Sequence, residues 1–102
     1  MSKSLRIGKA SEIPPGKVMG FTVDGSKVLV SNLDGRFYAI GSVCTHIGGP
    51  LEKGTLEGRV ITCPWHGSQF DITDGKVVSG PAARPEPVYK VTIEGAYLVL
   101  EV

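Results

Sequence analysis

Soft metal ligands and nucleophiles are scarce in this sequence: its 102 residues hold two cysteines and two histidines. Long apolar runs are missing as well, which excludes a membrane-spanning helix. There is no block of like charge, and the net charge is only +1. Neither nucleic acid nor an anionic membrane surface is therefore indicated as a partner. The first residues, Met1-Ser2-Lys3-Ser4-Leu5-Arg6-Ile7, contain no apolar core of signal-peptide length, and no lipidation signal closes the chain. These absences predict a soluble, cytoplasmic protein without membrane insertion. No segment sustains an apolar period of 3.6 residues, so no helix longer than a turn or two is expected.

What is present in quantity is turn chemistry, with 14 glycines and 7 prolines. An acidic residue followed by glycine recurs at Asp24-Gly25, Asp34-Gly35, Glu57-Gly58, Asp74-Gly75 and Glu94-Gly95. Such pairs supply the positive φ that tight hairpin turns require. The alternating or β-branched runs between them predict strands over Leu5–Lys9, Val18–Val23, Lys27–Ser31, Phe37–Ile40, Val60–Thr62, Phe70–Asp71, Val77–Val78, Val88–Glu94 and Tyr97–Glu101. No repeat or linker interrupts the chain, so residues 1–102 read as one all-β domain, a small antiparallel sandwich or barrel. Phe21, Phe37, Tyr38, Phe70, Tyr89 and Tyr97 are assigned to its core or sheet faces. Arg36, Arg59 and Lys53 are assigned to solvent.

All four soft ligands fall in two short motifs, Cys44-Thr45-His46 and Cys63-Pro64-Trp65-His66, separated by 16 residues. Each motif lies in a loop that opens after a strand, over about 41–50 and 63–70. The turn at Glu57-Gly58 between them can fold a hairpin that brings the loops together. Four chemistries compete for such a pair of loops. A Cys44–Cys63 disulfide leaves the matching histidines unexplained and lacks a secretory signal to support it. Structural zinc accepts these ligand types, but zinc sites usually pair Cys with Cys and His with His rather than one of each per loop. A cysteine nucleophile needs one His base, and a duplicated pair has no use in that chemistry. A [2Fe–2S] cluster of mixed ligation needs two thiolates on one iron and two imidazoles on the other, so each loop gives one ligand to each iron.

With these residues in place, the sequence resembles the Rieske family, whose Cys-x-His, Cys-x-x-His signature is matched by Cys44, His46, Cys63 and His66. Gly48, Pro64, Gly67 and Ser68 resemble the family too, and the resemblance extends over nearly the whole chain. It implies a fold with a cluster-binding subdomain of two hairpin loops and one [2Fe–2S] cluster per chain. Neutral imidazoles in place of two thiolates remove negative charge, and Rieske potentials accordingly span about −150 to +300 mV against about −400 mV for plant-type ferredoxins.

Quinol-oxidising members of the family carry an extra cysteine in each loop and a tyrosine whose hydroxyl bonds a ligand sulfur. The matching positions here are Gly49, Trp65 and Phe70. The expectation is a low-to-intermediate potential, with Ser68 as the remaining hydroxyl donor. Pro81-Ala82-Ala83-Arg84-Pro85 resembles the proline-rich loop that covers the cluster, which makes Pro81 a candidate contact. Trp65 and Gly49 are further candidates, Trp65 either shielding the cluster, offering a docking spot or simply packing its loop.

The resemblance therefore implies a ferredoxin that carries single electrons and has no substrate chemistry of its own. Its transient partners would be a ferredoxin reductase and a terminal oxygenase or similar acceptor. The alternatives are a small subunit or Rieske module of a nitrite-reductase-like complex, and a zinc-stabilised binding module.

Overall fold

Tight turns organise the chain as the acidic-Gly pairs require. In the computed structural model, which describes residues 4–43, 48–65, 67–80 and 84–101, Asp24 and Gly25 have φ of +51° and +82°, and Asp34 and Gly35 have +52° and +90°. Two successive residues in the left-handed region give the hairpin turn whose twist matches that of antiparallel strands. These turns join β2 (Val18–Val23), β3 (Ser26–Leu33) and β4 (Arg36–Gly41) into a meander. β1 (Ser4–Lys9) pairs with β10 (Tyr97–Glu101), and β10 with β9 (Val88–Glu94). Two residue pairs, Ala39 with Tyr89 and Ile40 with Val88, join the two halves into a six-stranded sheet ordered β1-β10-β9-β4-β3-β2.

The middle of the chain forms a second, smaller sheet. Its strands β5 (Thr55–Glu57), β6 (Val60–Thr62), β7 (Gln69–Asp71) and β8 (Val77–Ser79) pair in sequence order. Single 3-10 turns at Ala10–Glu12 and Leu51–Lys53 are the helical elements among the described residues. The all-β architecture, antiparallel throughout and built largely of hairpins, is the one the turn pattern predicts.

Alternation along β3 and β4 places two cores on opposite faces of one wall. Val28, Val30 and Ala39 turn inward with Ile13, Val23, Leu98 and Leu100, filling the curl of the large sheet. Leu29 and Ile40 turn the other way and meet Leu51, Ile61, Cys63, Phe70 and Ile72 from the small sheet and its approaches. A strand buried on both faces reads as a continuous apolar run, which is what Val28-Leu29-Val30 is.

The strands expected from sequence are all present, and β1, β3, β4, β7 and β8 run one or two residues longer at an end, β3 reaching Leu33. β5 was expected only as an arm of the hairpin around Glu57-Gly58; its Thr-Leu-Glu sequence is three residues long and half-buries only Leu56, too short a run for period-two alternation to register. Of the aromatic residues assigned to the core, Phe70 is fully buried and the other five are half-buried. Arg36, Arg59 and Lys53 are exposed as expected.

Candidate metal centre

The first loop leaves β4 through a tied neck. The Ser42 N–H donates to the Lys27 carbonyl at 3.0 Å, and the Leu51 N–H donates to the Ser42 carbonyl at 2.8 Å. Val43 and Pro50 form an isolated antiparallel bridge one step further out. The buried Ser42 hydroxyl also donates to the Glu52 carboxylate. Glu52 in turn lies on Gly20, where an added Cβ would come within 2.8 Å of Glu52 Cγ. Both feet of the loop are thus fixed by backbone and side-chain bonds.

The second loop leaves β6 directly. The Cys63 N–H donates to the Ser68 carbonyl at 2.8 Å, and the Gly67 N–H donates to the Cys63 carbonyl at 3.1 Å. Residues 63–68 therefore close on themselves within one short turn. Cys63 and Ser68 point into the fold and are buried, whereas Pro64, Trp65 and Gly67 are exposed. Gly67 and, on the first loop, Gly48 have φ of +77° and +82°, a region that only glycine enters without strain.

The two loops meet at Gly49. A Cβ on that residue would come within 2.7 Å of Cys63 Sγ and 3.3 Å of Trp65 Cγ and Cδ2. Only a glycine lets the first loop lie this close to the Cys63 sulfur. Cys63 is a free cysteine, only 2% exposed although Pro64 and Trp65 directly after it are exposed. A buried thiol at the meeting of two tied loops, which between them hold the chain's remaining cysteine and both histidines, is a donor set that fits an iron–sulfur cluster.

Cys44, His46, His66 and Pro81 lie outside the described residues. The structure does bring Gly48, Gly49, Cys63, Pro64, Trp65, Gly67 and Ser68 to one end of the molecule. Sequence reasoning passed over three side chains there. Ser42 and Glu52 tie the neck of the first loop, and no motif marks a serine and a glutamate ten residues apart as partners. Glu86 is the other: a carboxylate-bearing side chain only 4% exposed, with its Oε1 facing Gly41 where β4 enters the first loop. Its N–H donates to the Gly75 carbonyl, and the Gly41 N–H donates to the Pro87 carbonyl. Residues 86–87 therefore join the end of β4 to the turn between β7 and β8.

Two tied loops that meet at a buried cysteine suit a metal-cluster domain. Family comparison specifies the cluster: a model of the Rieske [2Fe-2S] domain matches residues 3–92, and the chain belongs to that family. The ferredoxin component of the naphthalene 1,2-dioxygenase system of Pseudomonas aeruginosa is 37% identical over 90 residues, 88% of this chain and 86% of that one. The iron-sulfur subunit of the cytochrome b6-f complex of Chlorobaculum thiosulfatiphilum is 38% identical over 96 residues, but these are 94% of this chain and 52% of the subunit.

Among solved structures, the ferredoxin in a complex of reduced oxygenase and oxidised ferredoxin of carbazole 1,9a-dioxygenase superposes with a TM-score of 0.90. It is 32% identical over 95% of this chain and 91% of that one. The expected Rieske-type ferredoxin, an electron carrier rather than an enzyme, agrees with these relatives. The family implies a [2Fe–2S] cluster. No helix among the described residues is long and apolar enough to cross a membrane.

Proposed function

We propose that this chain is a one-domain carrier, residues 1–102, with one [2Fe–2S] cluster, passing single electrons from a ferredoxin reductase to a terminal oxygenase. Cys44 and Cys63 would hold one iron and His46 and His66 the other. When bound, the cluster supplies a site that takes up and returns one electron, at a formal charge of zero when oxidised. The chain's part is to hold that site. Cys63 offers a sulfur already withdrawn from water, Gly49 lets the first loop approach that sulfur closely, and the tied loop necks fix where the remaining donors enter. The exposed, glycine-bearing tips at Gly48 and Gly67 leave this end open for transient contact with a partner.

The observation that carries the reading is the buried Cys63 sulfur facing Gly49 across the two loops. The ferredoxin relatives, nearly equal to this chain in length, favour the oxygenase systems as its setting, and a cytoplasmic location accords with them. The b6-f relative favours a second reading, a quinol-oxidising module, and the tuning positions separate the two. Gly49 and Trp65 leave no cysteine pair for the disulfide of that branch, and Phe70 is fully buried with no hydroxyl to offer a ligand sulfur.

The test is iron and acid-labile sulfide content with an EPR spectrum of the reduced protein, followed by redox titration. Two irons and two labile sulfides per chain with a midpoint below zero are expected. A midpoint well above zero would favour the quinol-oxidising reading. Absence of labile sulfide from anaerobically prepared protein would overturn the cluster itself.

A further inference from the structure

Trp65 is the chain's only tryptophan, and at 57% exposure it is the most open large apolar side chain among the described residues. Leaving that much indole in water is unfavourable, and its position shows what the ring does there. Its inner edge, Cγ and Cδ2, lies against the Gly49 backbone of the opposite loop, close enough that an added methyl would press on it at 3.3 Å. The same methyl would press on Cys63 Sγ. Ring and sulfur therefore both stand beside the Gly49 backbone, with the ring exposed to solvent.

The burial of Cys63 leads to the same arrangement. On the inner side the sulfur-bearing residue packs into the core with Leu51, Ile61 and Phe70. On the outer side Gly48, Pro64 and Gly67 are all exposed, yet Cys63 is 2% exposed. Among the described residues, Gly49 is the one placed against its sulfur from the tip, with the Trp65 indole beside it.

We propose that Trp65 is a positioning residue that ties the two cluster loops by seating its indole on Gly49, and so keeps water from the Cys63 sulfur. Gly49 and Trp65 occupy the two positions where the quinol-oxidising branch has its cysteine pair; the ring-on-backbone contact here is a non-covalent tie between the same two points. The inference rests on the cluster reading above and adds to it the means by which the loops stay closed. Its consequences concern the oxidised and reduced protein differently. Removing the ring admits water beside a sulfur ligand, and water stabilises the more charged state. Reduction adds a negative charge, so the reduced form gains more.

The experiment uses the anaerobically prepared holoprotein and three variants. Trp65→Ala is expected to lose its visible absorbance in air about two- to tenfold faster than the parent, the factor given by a barrier lowered by one aromatic contact, and to have a raised midpoint. Trp65→Phe keeps a ring on Gly49 and is expected to restore most of both properties. Gly49→Ala keeps the indole but pushes it off its seat; because the same methyl also presses on Cys63 Sγ, this variant is read by acrylamide quenching of the single tryptophan, which should rise, and unchanged quenching would overturn the seat.

Unchanged loss rate and midpoint in Trp65→Ala would overturn the tie, as would a Trp65→Phe variant no better than Trp65→Ala. If Trp65→Ala does not load at all, the Phe and Gly49 variants still decide. Iron and labile sulfide in the parent are measured first, so a chain without a cluster refutes the proposed function, whereas a loaded parent with indifferent variants refutes only the tie.

Discussion

The carboxylate of Asp71 shows how one residue secures the strand that leaves the second loop. It accepts the Thr73 N–H at 2.9 Å and the Thr73 hydroxyl at 2.6 Å on one oxygen, and the Arg59 Nε lies 3.1 Å from the other. Burial pushes this carboxyl up. The Thr73 hydrogen bonds, then the charges of Arg59 and Lys76, more than reverse it and hold the group below its ordinary value of 3.8. Hydrogen bonds account for more of this than the ion pair, because the Arg59 side chain is 68% exposed and water screens it.

A carboxyl lowered on folding contributes stability that is complete above its unfolded value, about pH 3.9, and is lost as the pH falls through the folded value. Asp71→Asn is therefore expected to cost about 1.5–3 kcal/mol at pH 7, the worth of hydrogen bonds to a charged group. The gap should close as the pH drops below 4. Urea denaturation of both proteins at pH 7 and pH 3 measures this, and a gap that stays constant with pH would show that the charge plays no part.

At the level of elements, glycines at equal-looking turns have unequal work. Gly58, with φ of +60°, has nothing within 4 Å of where a Cβ would stand, so Gly58→Ala faces only the left-handed strain, about 1 kcal/mol. Gly54 has an ordinary extended backbone, but a Cβ there would overlap the carbonyl oxygen of Thr62. Thr62 pairs with Thr55 on one side and Gln69 on the other, and Cys63 follows it. Gly54→Ala is expected to cost about 3 kcal/mol, the upper end of overpacking, and to lower iron content, while Gly58→Ala keeps the parent's content. Denaturation midpoints and metal analysis of the pair check this; equal behaviour would show that the Thr62 carbonyl can move aside.

Only one of these two glycines announces itself in the sequence. Gly58 follows Glu57 between two apolar runs and reads at once as a turn, and the same chemistry made every hairpin of the large sheet legible. Gly54 looks like any loop glycine, because its constraint comes from a backbone eight residues away. The candidate centre divides along the same line. The proposed ligands and their spacing are local, two short motifs in the sequence. The Ser42–Glu52 tie, the buried Glu86 and the seat of Trp65 on Gly49 depend on how separate loops come together, and no local pattern encodes that.

For the molecule as a whole, the two-faced wall of β3 and β4 decides whether the sheets behave as one body. Leu29 and Ile40 belong to the core under the metal loops, while Val28, Val30 and Ala39, their chain neighbours, belong to the core of the large sheet. A strand cannot lose its order on one face and keep it on the other, so the small sheet cannot be loosened without disturbing the wall on which the large sheet also depends. This supports a single cooperative domain, the arrangement that lets a carrier with a small core hold its loops rigid.

Ile40→Ala removes a fully buried side chain from the metal-side core and is expected to cost about 2–5 kcal/mol. If the sheets open together, the slowest-exchanging amide hydrogens of β10 in the large sheet and of β6 in the small one should accelerate by the same factor, about thirtyfold to several thousandfold. Acceleration confined to β6 and β7 would mean that the small sheet opens by itself. In that case the fixed position of Cys63 would be a property of two loop necks and an indole, not of the domain.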